Sequence, residues 1–172
     1  MAHTTPQALL KRRAGSTFEE FSKYYLDHHA KVALPWCLAN GVTYYAQVRL
    51  AYPPTASALT PNLHGPLNWS SSATASKYPD INLADWDAVG VMAFPADTQF
   101  PSGPGKAYYE NVIRPDERVF LFSEALLHLR MLEPGSVQGA RVEEVIVGGR
   151  AVVAGWEEWR QVFDGYGKEE QR

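Results

Sequence analysis

Residues Thr17 to Asn40, TFEEFSKYYLDHHAKVALPWCLAN, decide how the rest of the chain is read. Thr17 followed three positions later by Glu20 forms a capping box, so a helix starts here with its first free N–H groups satisfied. Phe18, Phe21, Tyr25, His29, Val32 and Trp36 recur at three- and four-residue spacing and share one face. Gly41 is the expected stop. Pro35 lies inside and is expected to kink the helix, because it lacks an N–H and crowds the preceding turn. His29 falls mid-face among aromatic rings, whereas His28 lies about 100° away, toward the flank.

An imidazole in that setting has two readings. It is either a core histidine satisfied by a carbonyl or a tyrosine, or a general acid or base lining a pocket. A metal site is disfavoured, since ring nitrogens at i and i+1 point to different sides of a helix.

The chain of 172 residues fits one domain, 1–172, with a sizeable core. Hydrophobic residues make up 45% and charged residues 20%, the balance of a soluble globular protein rather than a disordered one. A net charge of −3 gives no electrostatic footprint for nucleic acid, and the basic cluster Lys11, Arg12, Arg13 is too short to supply one. Five Trp, nine Tyr and seven Phe suit either a large core or an aromatic ligand. The single Cys37 rules out an intrachain disulfide and a cysteine-based zinc site. In an apolar helical turn it reads as a small buried hydrophobe. With no apolar run long enough to span a membrane and no signal-peptide core, a cytoplasmic location is expected, without membrane or nucleic-acid partners.

Outward from the helix, Ala8 to Arg13 reads as a short strand ending in the turn Ala14-Gly15-Ser16. Gly41 to Ala51 alternates as a strand, with Val42, Tyr44, Ala46 and Val48 opposing Thr43, Tyr45, Gln47 and Arg49. Tyr52 to Asp85 is rich in Pro, Ser, Ala and Asn and has no sustained period, so it is either a lid or binding loop, or a surface insertion. Leu67, Trp69 and Tyr78 are apolar enough to fold back over something. Trp86 to Phe94 reads as a third strand. Lys106 to Ile113 reads as a short helix, and Pro115-Asp116-Glu117 as the opening of another. Ala125 to Leu132 reads as a fourth strand. Arg141 to Ala154 reads as a hairpin turning at Gly148-Gly149, followed by an amphipathic helix from Trp156 to Phe163 and a frayed tail.

The order β-α-β, long loop, β-α-β matches a ferredoxin-like split arrangement, an α+β fold of four antiparallel strands with helices on one face. The other face needs cover. A second copy of the chain is the economical cover, which predicts a homodimer.

The residues also resemble a known family. LLKRRAG, FEEFSKYYLDHHA, GVTYYAQV, DWDAVGVMAF and YYENVIRPDERVFL look like the EthD-type branch of dimeric α+β barrel proteins over about residues 8 to 133, leaving 134 to 172 as a hairpin and helix extension. Within that branch the likeness is to small decarboxylases encoded in fungal aromatic polyketide gene clusters. The family's Tyr-x-x-x-His motif matches Tyr25 and His29, its Tyr-x-Gln matches Tyr45 and Gln47, and its strand-three aspartate matches Asp87. Ala30-Lys31-Val32 stands where the family has a proline step, and proline appears only at Pro35.

The resemblance implies a cofactor-independent decarboxylase acting on a hydroxylated polycyclic, anthrone- or anthraquinone-type carboxylic acid. Loss of CO2 needs a proton delivered to carbon and support for a developing enolate or phenolate. The expected roles are His29 as general acid/base, Tyr45 and His128 on the substrate oxygens, and Asp87 fixing an imidazole tautomer. Tyr25, Trp36, Trp86, Phe94 and Tyr109 are expected to wall a flat ring system. The same groups would serve a dehydratase or cyclase, and a non-catalytic carrier of an aromatic intermediate is the alternative of another class.

Overall fold

The computed structural model describes residues 5–49, 67–96, 105–138 and 141–169. The capping box is present, with Thr17 accepting from the Glu20 N–H and Glu20 accepting from the Thr17 N–H. From it runs one long helical rod made of α1 (Phe18–Tyr24), a wider π turn (Tyr25–His29) and α2 (Ala30–Ala39). Pro35 lies inside α2 without ending it. The rod stops in a Schellman motif: Val42 N–H reaches Cys37 O at 3.0 Å and Gly41 N–H reaches Leu38 O at 3.1 Å. Gly41 takes the positive φ of 71° that this stop demands.

The strands are β1 (Gln7–Leu10), β2 (Tyr44–Arg49), β3 (Asn68–Trp69), β4 (Ala88–Ala93), β5 (Arg130–Leu132), β6 (Val137–Gln138), β7 (Arg141–Val147) and β8 (Arg150–Ala151). Six of them form one sheet in the order β5-β1-β4-β2-β7-β8, and every neighbouring pair is antiparallel. The fold is α+β. The hairpin β7–β8 turns at Gly148 and Gly149, both at positive φ, and extends the sheet beyond β2.

The remaining helices are α3 (Ser72–Lys77), α4 (Lys106–Tyr108), α5 (Arg114–Phe120), α6 (Ala125–His128) and α7 (Glu157–Glu169). A second π turn, Tyr109–Ile113, joins α4 to α5, so Lys106 to Phe120 is continuous rather than the two helices expected. Pro115, which has no N–H to give, falls just after this wider turn, where the hydrogen-bond ladder is already interrupted. The expected fourth strand is also corrected. Ala125–His128 is a helical turn and only Arg130–Leu132 is extended, because Glu117 Oε2 accepts the Ala125 N–H at 3.0 Å and holds a turn there. α7 runs further than expected, with Trp159, Phe163 and Tyr166 packed onto the core around α2 and Tyr108. None of the helices described is long and apolar enough to cross a membrane.

Alternation along the strands divides the side chains between two layers. Leu9, Ala46, Val48, Val89 and Val91 point away from the helical rods. That face was expected to await a partner, but the chain covers it itself with Leu67, Leu83 and Val137 and with the stacked rings of Trp69 and Tyr78, 5.4 Å apart. Within the long connection, residues 51–66 lie outside the described residues, and its later part forms β3, α3 and a 3₁₀ turn, Leu83–Asp85. The face toward the rods carries Ala8, Leu10, Tyr45, Gln47, Gly90 and Met92, and the site lies between it and them.

Candidate functional site

The first π turn has a visible cause. Gln47, fully buried on β2, donates from Nε2 to the Tyr25 carbonyl at 2.8 Å and to the Tyr45 hydroxyl at 3.0 Å. The same carbonyl accepts the Ala30 N–H five residues on, the bond that defines a π turn. A side chain that enters the ladder from the sheet thus widens the helix at this point. Tyr25, His29, Ala33, Trp36 and Cys37 then face the sheet across a cavity of about 410 Å³.

The second rod closes the cavity from the side with Tyr109, Ile113 and Glu117, set four residues apart, and Leu121, Ala125, Leu126, Leu129 and Met131 complete the wall. The floor is low because Ala8 and Gly90 are neighbours across β1 and β4. A Cβ on Gly90 would stand 3.4 Å from the Tyr25 hydroxyl and 3.7 Å from Leu10 Cδ1. This volume lies in the range of about 300–1,000 Å³ typical of small-molecule sites. Among the described residues neither Lys nor Arg lines it, and its polar groups include the His29 ring, the Glu117 carboxyl and the hydroxyls of Tyr25, Tyr45 and Tyr109.

His29 is held from behind by Asp116. Its Nδ1 lies 2.6 Å from Asp116 Oδ2, and both residues are buried. The other carboxylate oxygen accepts the Tyr24 hydroxyl at 2.6 Å and faces His28 Nε2 at 3.3 Å. Burial alone would raise the Asp116 carboxyl, but the bonds from His29 and Tyr24 and the nearby His28 ring outweigh it and hold it below the ordinary range. An ionised Asp116 accepts a hydrogen bond from Nδ1–H, which leaves Nε2 as the nitrogen for a ligand. Glu117, one residue on, goes the other way: burial pushes its carboxyl up. Burial also raises Tyr45 well above the usual phenol value, with the adjoining Tyr25 hydroxyl adding to the effect. The Cys37 thiol, wholly buried in the cavity wall, is pushed up to about 12 and is a packing group.

Of the residues singled out from sequence, His29, Tyr45, Tyr25, Trp36, Phe94 and Tyr109 all line this one cavity. Asp87 does not. It lies at the start of β4, where it accepts the Arg12 N–H at 2.9 Å and pairs with the Arg12 guanidinium at 3.2 Å, so it anchors the end of β1 instead of an imidazole. His128 is likewise outside the cavity: its Nε2 accepts the Lys11 N–H at 3.3 Å, while Nδ1 faces Ser123 and the Glu124 carbonyl. Trp86 packs on the opposite sheet face. The tautomer-fixing carboxylate is therefore Asp116. Splitting its helix at Pro115 hid the four-residue spacing of Tyr109, Ile113 and Glu117, the pattern that would have set Asp116 and Glu117 beside His29.

The sequence profile of the EthD domain matches residues 13–123, about two thirds of the chain, and the chain belongs to the EthD domain family. The matched segment contains His29, Asp116 and Glu117. No curated protein and no solved structure matches the chain.

Proposed function

We propose that this EthD protein is a cofactor-independent decarboxylase of fungal aromatic polyketide biosynthesis, acting in the cytoplasm on a hydroxylated polycyclic, anthrone-type carboxylic acid. The observation that carries the reading is His29, held from behind by Asp116 at 2.6 Å, in the wall of a cavity lined mainly by rings and aliphatic side chains. A flat fused-ring guest would lie against Trp36, Phe94 and Tyr109. His29 Nε2 exchanges the proton of the substrate hydroxyl, and Asp116 stabilises the imidazolium that this creates. The Tyr45 and Tyr25 hydroxyls, both on lining residues, would hydrogen-bond a substrate oxygen as negative charge builds on it. The described lining residues, which include neither Lys nor Arg, suit the reaction too, because a substrate carboxylate without a counter-charge gains most by leaving as neutral CO2.

The order β5-β1-β4-β2 is that of a split β-α-β sheet and supports the ferredoxin-like reading. The homodimeric barrel belongs to the same proposal, although the chain's own cover over Val89 and Val91 removes the face on which it was first argued. Light scattering at micromolar concentration tests it, and a monomeric mass would remove it. The activity is tested by incubating the purified protein with anthraquinone and anthrone carboxylic acids and following products by mass. Release of CO2 supports the proposal. Loss of water or an isomeric product transfers the same groups to a dehydratase or cyclase, and tight binding with no product makes the protein a carrier.

A further inference from the structure

Glu117 is a carboxyl group on the cavity wall to which the reaction above gives no part. It is buried, 5% exposed, and its Oε2 accepts the Ala125 N–H at 3.0 Å. The two arginines nearest in sequence do not serve it, since Arg114 and Arg118 both turn to Glu124. The groups around it are His29 from the first rod, Asp116 beside it, Glu124 after α5 and Tyr109 two turns earlier. Asp116 and Glu124, both negative, oppose its ionisation; His29 and the Ala125 N–H favour it. Burial is the larger effect and raises the carboxyl above its ordinary value, in the direction of the protonated form. A neutral carboxyl also fits the hydrogen bond observed: its carbonyl oxygen accepts from Ala125 and its other oxygen carries a hydrogen to donate.

We propose that Glu117 is the acid that delivers a proton to the substrate carbon, leaving His29 to work on the neighbouring hydroxyl. This rests on the decarboxylase reading. The balance closes with one proton consumed per turnover. The Glu117 O–H bond breaks and a C–H bond forms at the ring carbon bearing the carboxylate, while His29 Nε2 takes the adjacent hydroxyl proton. The bond from ring to carboxylate then breaks, its electron pair returns to the ring, and CO2 leaves. His29 gives its proton back to the phenolate oxygen, and Glu117 is reprotonated by water.

The test uses Glu117→Gln and Glu117→Asp in the full chain. Glutamine can keep the Ala125 hydrogen bond through its carbonyl, so the fold is retained. At neutral pH the infrared spectrum of the wild type should contain a protonated-carboxyl band that Glu117→Gln lacks, and a dihydroxyanthraquinone without the carboxylate should shift it. In turnover, Glu117→Gln should lower kcat by about 10²–10⁴-fold with little change in KM, and Glu117→Asp should recover part of the loss. The alkaline limb of the wild-type kcat profile should disappear in Glu117→Gln. Absence of the infrared band, or a Glu117→Gln protein as active as wild type, would overturn the role of Glu117 alone. A wild-type protein that decarboxylates no acid overturns the functional reading itself.

Discussion

His29 and Asp116 are 87 positions apart in sequence, yet Nδ1 of one and Oδ2 of the other are separated by only 2.6 Å. The two long helical rods meet at this contact, and it gives the cavity a histidine of defined tautomer. Asp116→Asn would offer an amide that no longer selects the Nδ1–H form. The expected result is a fall in kcat of about 10²–10⁴-fold with the circular dichroism spectrum retained. Full activity in that variant would show that the pair is merely a packing feature.

The two adjacent carboxyls give opposite pH signatures. Asp116 is held below its ordinary value, so its contribution is present above the unfolded carboxylate pKa of about 3.9 and is lost as pH falls through the lower folded value. Glu117 is raised, so its contribution is complete below the unfolded value of about 4.3 and is lost as pH rises through the folded one. Glu117→Gln should therefore match wild type near pH 4 in urea unfolding and exceed it in midpoint at pH 8. Asp116→Asn should be the less stable variant at pH 7, with the gap closing in acid.

Gly90 sets the depth of the cavity. With the Tyr25 hydroxyl 3.4 Å from where a Cβ would stand, Gly90→Ala should fold normally. Gly90→Leu should fill the floor and weaken binding of a dihydroxyanthraquinone at least about tenfold, the order expected when a pocket loses apolar contact worth about 1–3 kcal/mol. Fluorescence titration of both variants checks this, and unchanged affinity in Gly90→Leu would place the ligand elsewhere.

Gln47 joins sheet and helix. Gln47→Leu removes the donor to the Tyr25 carbonyl and to the Tyr45 hydroxyl, both buried. A loss of about 1–3 kcal/mol in unfolding free energy is expected for breaking these two buried hydrogen bonds. Denaturant titration measures it, and a neutral result would mean that the π turn stands without this support.

Local signals were the ones legible in sequence. Thr17 with Glu20, Gly41 at the helix stop and Gly148-Gly149 at the hairpin tip each act over a few residues, and each is where the pattern placed it. His29 was readable for the same reason, since its face follows from spacing along one helix. Asp116 was not, because its partner is a whole βαβ unit away and Pro115 falsely marked a helix start. Asp87 misled for a related reason: an acid at a strand entrance looks alike whether it meets an imidazole or, as here, Arg12. The turn Ala125–His128 depends on the Glu117 carboxyl group from α5, which no window of eight residues contains. The cover over the back of the sheet was half visible, in that Leu67, Trp69 and Tyr78 were marked as apolar, but the surface they meet was assigned to a second copy of the chain.

The π turn at Tyr25–His29 amounts to one residue too many for a regular coil. Deleting a single residue there would restore the ordinary ladder and yield a tidier rod. It would also swivel everything downstream by about 100° relative to everything upstream. Phe21 and Tyr25 would stay where they are, while Ala33 and Trp36 turned off the cavity wall. Regularity and a working interior are thus in competition along this rod, and the irregular spelling is the one compatible with a room behind it.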